Sequence, residues 1–507
     1  MGLPGTGVTS NSVTPHRYHV AVVAVVRPCN TMRDVAAADR SSQARTLRKV
    51  TIRIVPFVMA MYFINYLDRT NLGIAKADIS EHLQLSATMF GLASGIFFIG
   101  YVLVEVPSNL ALNRYGARRW LARIAVSWGI VAVGVGFAPN AATLLVLRFL
   151  LGVAEAGLFP GVIFYLSRWF PREVRARVVA LFMMASPVAA AIGTPVSAWL
   201  IHVGDGLFGL AGWQFMMIGV GAPAVLLGVM CWFYLTDHPD DATWLHSDER
   251  QWLVEVLAEE ERTISSSFEF GLRRALASPR VWALALVYFG IAYGLYALAF
   301  FLPSIISGFK KTFGVELSIV QVGLITAIPY ACASVAMYVW SRHADRSREH
   351  VLHVAIPMFV GGLAIPVALY LGSPVLVMIP VVITAAAVFS AIPSFWALPS
   401  RFLTGAAAAG AIGLINSLGN LGGFAAPYAT GALEQVTGTN KAGMWAVGAV
   451  MVVSALVVLV LRAAPRSALS RGGSRQRGLF GGEQGRGAVG GVVGGGAAVE
   501  TEQPLAP

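Results

Sequence analysis

Apolar positions along this chain do not alternate with polar ones; they run together in stretches of roughly 20 residues, separated by short polar connections. A segment that crosses hydrocarbon must satisfy every backbone amide internally, which as helix takes about 20 mostly apolar residues. Twelve runs meet that requirement, near residues 52–72, 88–112, 120–138, 141–167, 177–202, 213–235, 282–307, 318–341, 351–371, 375–399, 405–433 and 441–462. After the sixth run comes one long polar stretch, TDHPDDATWLHSDERQWLVEVLAEEERTISSSFEFGLRRALASPR. The pattern predicts an all-α polytopic membrane protein. Its parts are a six-helix bundle over 51–236, a cytoplasmic linker over 237–281 and a second six-helix bundle over 282–463. Residues 1–50 are expected to be a disordered basic segment, and the Gly-rich 464–507 a disordered tail.

Composition agrees with this pattern. Hydrophobic residues make up 56% of the chain and charged residues 12%, against about 25% charged in soluble domains, and the mean hydropathy is +0.67. The net charge of +11 does not point to nucleic acid, because the cations fall in short clusters between apolar runs. Arg114, Arg118 and Arg119 follow the second run, Arg168, Arg172, Arg175 and Arg177 the fourth, and Arg342, Arg346 and Arg348 the eighth. Such loops remain in the cytoplasm, which predicts a multi-pass inner-membrane protein with both termini cytoplasmic. Cys29, Cys231 and Cys332 have no metal-ligand spacing, so no metal or cofactor is expected. Residues before Met32 match neither a targeting signal nor a fold, which points to Met32 as the start.

The two halves echo one another, as in a duplicated transporter. NRYGARR after the second run and DRSRE after the eighth are offset by 232 positions; SRWF after the fourth and SRFL after the tenth are offset by 233.

Charged side chains inside apolar runs are costly, by at least about 2.5 kcal/mol at mid-bilayer, and tend to be paired and functional. Asp68 and Arg69 lie in the first run, Arg148 and Glu155 in the fourth. Arg148 and Glu155 are two helical turns apart, so with Gly152 between them they form one face about 10 Å long, expected to wall a cavity. A guanidinium fork matches a carboxylate and keeps its proton, whereas a carboxyl can gain or lose one. Two acids and two guanidinium groups on one aqueous path would therefore couple binding of an organic anion to protonation; the alternative is a static ion pair between helices. Glu105, toward the cytoplasmic end of the second run, is expected to pair with loop arginines as a gate or brace. Asn416, Ser417 and Asn420 of GLINSLGNLGG could hydrogen-bond a substrate or belong to close packing around Gly419, Gly422 and Gly423. Tyr66 and Trp396 could contact substrate or fill space.

The stretches NYLDRTNLG, GYVLVEVPSN with RYGARRW, RFLLGVAEAGLFPGVIFYLSRWFP with RAR, and INSLGNLGGFAAPYATG resemble the major facilitator superfamily. Within it, they resemble the anion:cation symporter family of tartrate, galactonate, glucarate, phthalate and hydroxyphenylacetate permeases. The resemblance covers about residues 50–463. It implies two six-helix bundles rocking around a central site, and proton-driven import of a small organic anion (a sugar acid, hydroxy acid or aromatic carboxylate) by a monomer in the lipid bilayer. It further implies that Asp68 and Glu155 couple protons, Arg69 holds the substrate carboxylate, Arg148 mediates between the acids, and Tyr66 and Asn416 touch substrate. The gating charges are expected at Arg114, Arg118, Asp345 and Arg346; where the superfamily carries an Asp in the first gating loop, this chain has Asn113.

A drug/proton antiporter on the same fold is the first rival, but ASPVAAAIGTPVS lacks the helix-five pattern of those carriers. Sodium coupling is a second; the apolar runs contain no dedicated oxygen-ligand cluster. A membrane enzyme would have to rest on His238, Asp240, Asp241, His246 and Asp248, which lie in the polar linker without a metalloenzyme register.

Overall fold

The computed structural model describes residues 31–265, 278–402 and 406–463. The predicted tail over 464–507 and residues 1–30 lie outside the described residues. The first half contains α1 (Thr31–Ile74), α2 (Lys76–His82), α3 (Ala87–Tyr115), α4 (Ala117–Val135), α5 (Ala141–Glu155), α6 (Leu158–Ser167), α7 (Arg172–Met183), α8 (Ala185–Gly204) and α9 (Gly212–Tyr234). The linker carries α10 (Ser247–Ser265). The second half contains α11 (Pro279–Ser307), α12 (Phe309–Phe313), α13 (Ile319–Ser347), α14 (His350–Val367), α15 (Pro374–Phe402), α16 (Ala406–Thr437) and α17 (Lys441–Ala463).

Among the described residues each predicted run lies mainly on helix, and ten helical spans are long and apolar enough to cross a membrane. The remaining two runs lie on α4, which opens with Arg118, Arg119 and Arg123, and on α16, which is diluted by Gly and Asn. One expectation is corrected: residues 31–50, taken as part of a disordered segment, belong to α1. From residue 33 to 55 there is neither Pro nor Gly, and Ala, Arg and Leu favour helix.

Two spans are broken, and each break has its backbone satisfied. The fourth span turns at Gly157 (φ +92), where a Cβ would sit 2.4 Å from Ser108 Oγ. That hydroxyl donates to Ala156 O at 2.6 Å and accepts from Trp120 Nε1 at 3.0 Å. The fifth span breaks at Met184 because Pro187 has no N–H for the Met183 carbonyl; Ser186 Oγ donates to that carbonyl instead, at 2.9 Å.

Within the first half α1 packs on α8, α3 on α5 and α4 on α9; within the second, α11 packs on α16 and α17, and α14 on α15 and α17. The halves meet along α3 with α16, α8 with α13, and α1 with α11. Small residues allow backbone approach at the end of the bundle that carries α2 and α12: a Cβ on Gly73 would lie 2.2 Å from Ala299 O, on Gly91 2.4 Å from Pro427 O, and on Gly431 2.3 Å from Ala87 O. At the same end Lys76 Nζ pairs with Glu434 Oε2 at 2.9 Å and Thr194 Oγ1 donates to Gly323 O at 3.3 Å. The linker helix α10 is tied to the first half through Lys49–Glu249 at 2.6 Å and Arg175–Glu260 at 3.0 Å.

Candidate functional site

Between the halves, on the α10 side of those closures, lies a hollow of about 50 Å³. From the first half Tyr62, Tyr66, Arg69 and Tyr101 line it; from the second, Tyr288, Tyr296, Trp396, Asn416 and Asn420 do. Its polar lining is mainly phenols and amides, with Ser186, the Trp396 indole and, among the described residues, one guanidinium; Phe159, Met183, Leu295 and Ile392 complete the walls.

Arg69 is the charged group at its centre. Nε donates to Glu155 Oε1 at 2.6 Å, Nη2 makes an ion pair with the same oxygen, and Nη1 donates to the Tyr296 hydroxyl at 2.8 Å. The guanidinium also lies 5.1 Å from the Tyr101 ring centroid and 5.4 Å from that of Phe97. Arg69 thus bonds at once to a fully buried acid of its own half and to a phenol of the other half.

The other three intramembrane charges do not reach the hollow, which corrects the expectation that all four line one aqueous path. Asp68 is buried on the far side of α1, where Oδ1 accepts from Asn71 Nδ2 and Oδ2 from Trp128 Nε1, both at 3.1 Å. Arg148 is buried against α3: Nε donates to Ala93 O at 3.3 Å and the guanidinium lies 5.4 Å from the Phe97 ring centroid. The face formed by Arg148, Gly152 and Glu155 is therefore a packed helix contact, not a cavity wall. Gly152 makes it possible, since a Cβ there would meet Phe97 O at 1.9 Å and Tyr101 N at 2.9 Å. Gly152→Ala is expected to push α3 from α5 and cost about 1–3 kcal/mol, read as a lower melting temperature of the purified protein; an unchanged melting temperature would contradict this packing.

Tyr66, Trp396, Asn416 and Asn420 do line the hollow. The neighbouring glycines are packing positions: a Cβ on Gly419 would strike the Tyr288 ring at 1.9 Å, on Gly422 Phe289 O at 2.3 Å, and on Gly423 the Phe98 ring at 2.5 Å. Glu105 is not paired with loop arginines as expected. It reaches across the interface to α16, accepting from Asn416 Nδ2 and, at 2.9 Å, from Ser417 Oγ, because it projects into the bundle interior where α16 supplies the donors.

The expected gating charges lie at the α10 end and do not form one cluster. Asn113 Oδ1 accepts from Arg168 Nη2 at 3.2 Å, and Arg114 lies over the Tyr115 ring. Arg118 pairs with Asp237, whose Oδ1 accepts from the Arg118 backbone N–H at 2.7 Å and whose Oδ2 is 3.8 Å from Nε. Asp237, from just beyond α9, thus supplies an acid to the loop in which Asn113 leaves one out. Asp345 and Arg346 are exposed and make no ion pair among the described residues.

Sequence reasoning missed Tyr296, Tyr62, Tyr101, Tyr288, Trp128 and Asp237. The tyrosines belong to apolar runs in which any aromatic reads as filler; Asp237 is one of several acids in a polar loop.

The family model for the Major Facilitator Superfamily matches residues 58–427. The chain belongs to the major facilitator superfamily. It is a multi-pass membrane transporter of a small molecule, not an enzyme. A protein of Agrobacterium vitis named for tartrate transport is 44% identical over 450 residues, covering 88% of this chain and 98% of that protein. A quinolone resistance transporter of Acinetobacter baumannii is 36% identical, covering 82% of this chain and 95% of its own. Among solved structures, the xylose transporter XylE of E. coli in a partially occluded inward-open conformation superposes with a TM-score of 0.63 at 15% identity, covering 82% of this chain and 100% of that one. That likeness is one of fold. The hollow lies between the two halves of this fold.

Proposed function

We propose that this protein is a proton-coupled importer of a small organic anion, with Arg69 as the carboxylate anchor. The observation that carries the reading is the Arg69 guanidinium, the one cation lining the hollow among the described residues, bonded to a buried acid. Arg69 and Glu155 together are neutral. A carboxylate that docks on Arg69 competes with Glu155 for the fork and adds one negative charge to a desolvated site, at a cost of several kcal/mol unless the charge is balanced. A proton taken up by Glu155 balances it, so anion and proton enter together. Asp68 and Arg148 lie behind this pair within electrostatic reach of it, and we assign them the relay that resets Glu155. The positive-inside pattern assigns the α10 end to the cytoplasm and both termini with it, so the contacts at the α2 end close the side away from the cytoplasm.

The relative named for tartrate transport supports a hydroxy or sugar acid as substrate. A second reading, export of aromatic acids, is favoured by the aromatic lining and by the relative named for quinolone resistance. Proteoliposomes with an inward-directed proton gradient decide between them: labelled hydroxy, sugar and aromatic acids are offered outside, and accumulation that collapses with a protonophore is expected. Uptake indifferent to the gradient, or net flux outward against the entering protons, would overturn the import reading.

Asp68→Asn is expected to abolish accumulation. The substitution removes the relay acid and turns one acceptor into a donor facing either Asn71 or Trp128. Accumulation is read beside counterflow: loss of the first with retention of the second is the expected result, and equal loss of both would reduce Asp68 to a structural role.

A further inference from the structure

Asn416 lines the hollow, and one end of its amide is already committed. Nδ2 donates to Glu105 Oε1, while Ser417 Oγ occupies Oε2 of the same carboxylate at 2.9 Å. Glu105 is 3% exposed and belongs to α3 of the opposite half. An amide NH₂ only donates, so the Glu105 oxygen that meets Nδ2 is an acceptor whichever way the Ser417 hydroxyl turns. It therefore holds the NH₂ end of the Asn416 amide, and the planar amide turns its other end elsewhere. Oδ1 accepts no hydrogen bond among the described residues and does not belong to the buried atoms without a partner.

This polarity sets Asn416 apart within the hollow. The hydroxyls of Tyr62, Tyr66, Tyr101 and Tyr288 donate or accept as their hydrogens rotate; Tyr296 already accepts from Arg69, Ser186 donates to a backbone carbonyl, the Trp396 indole can only donate, and the Asn420 amide is not held by a carboxylate among the described residues. Groups that adapt do not discriminate between a hydroxyl and a hydrogen on a substrate. A fixed acceptor does, because a ligand without a donor leaves it desolvated and unpaired.

We propose that Glu105 is a specificity-positioning residue: by holding the Asn416 amide it presents Oδ1 to the hollow as a fixed acceptor. Among carboxylates anchored at Arg69, it thereby selects those that carry a hydroxyl donor. The inference rests on the reading of Arg69 as that anchor.

The experiment measures binding of paired acids to the purified full-length carrier by calorimetry: malate against succinate, and mandelate against phenylacetate. In the wild type the hydroxy acid of the pair that fits is expected to bind at least about tenfold more tightly than its deoxy partner. Glu105→Leu and Asn416→Ala are each expected to bring that ratio close to one. Glu105→Gln is expected to keep it, since the new side-chain carbonyl still accepts from Asn416 and its amide donates to Ser417 Oγ. A wild-type ratio near one, or a Glu105→Leu carrier that loses affinity equally for both members, overturns the proposal. Should Glu105→Leu not fold, an unchanged ratio in Asn416→Ala overturns it just as well. Failure of the anchor reads differently: Arg69→Ala would then bind both members like the wild type, or no acid of the panel would bind at all.

Discussion

Arg69→Ala is expected to reduce carboxylate binding by roughly 30- to 4,000-fold, the equivalent of about 2–5 kcal/mol for truncating one partner of a buried, hydrogen-bonded charge pair. Two losses combine. The incoming carboxylate loses its only cationic partner in the hollow among the described residues, and the remaining donors there are neutral phenols, amides, the Ser186 hydroxyl and the Trp396 indole. At the same time Glu155, fully buried, loses the guanidinium that donates to it through both Nε and Nη2. The empty carrier itself is therefore destabilised, and melting temperature has to be recorded beside affinity. Arg69→Lys separates the two effects. An ammonium restores a charge near Glu155 but cannot hold Glu155, Tyr296 and a substrate carboxylate with one planar fork. It should recover melting temperature more fully than affinity. Full recovery of affinity by Lys would argue that Arg69 balances charge without touching the substrate.

How much of this was legible beforehand follows from which physical constraint is local. Hydrocarbon imposes its demand on each segment separately, so the twelve runs and the polar divide after the sixth could be read from consecutive residues. The intramembrane charges were legible for the same reason: an Asp–Arg pair inside an apolar run is anomalous without reference to any other segment. What consecutive residues do not contain is rotation of each helix about its axis and contact across the two halves. Asp68 and Arg69 are adjacent, yet one turns toward Trp128 and the other into the hollow. Arg148 and Glu155 share a face, but Gly152 between them lets that face close against α3. Tyr296, Glu105 and Asp237 depend on partners 227, 311 and 119 positions away, and no local spacing encodes those pairings.

The same cross-half contacts describe what an alternating carrier would have to exchange. α16 carries Glu434 at one end, paired with Lys76, and Asn416 with Ser417 nearer the other, paired with Glu105. Between them Pro427 and Phe424 lie against Gly91 and Gly95 with no room for a side chain. Opening the α2 end must break the Lys76–Glu434 pair and part this glycine-lined seam. Arg69, bonded to Glu155 in one half and Tyr296 in the other, adds a further cross-half contact that such an exchange would have to remake.

Glu155→Gln is expected to abolish accumulation against a gradient while leaving counterflow within a few-fold of the wild type. The glutamine is a permanent stand-in for the protonated acid. With it Arg69 carries an uncompensated positive charge, and a docking carboxylate makes the site neutral without any proton. Anion binding should therefore lose the pH dependence that proton uptake by Glu155 imposes, and exchange of labelled for unlabelled substrate should continue. Net uptake has no such route, because the cycle no longer carries a proton on this residue and the proton gradient cannot drive it. The return step of the empty carrier slows as well, since the unpaired guanidinium is left buried between the halves. Three readouts separate this from general damage: accumulation ratio under an imposed pH gradient, counterflow at zero gradient, and binding at two pH values. A Glu155→Gln carrier that still concentrates substrate as the wild type does would remove Glu155 from proton coupling and pass that role to Asp68, another buried acid of the first half.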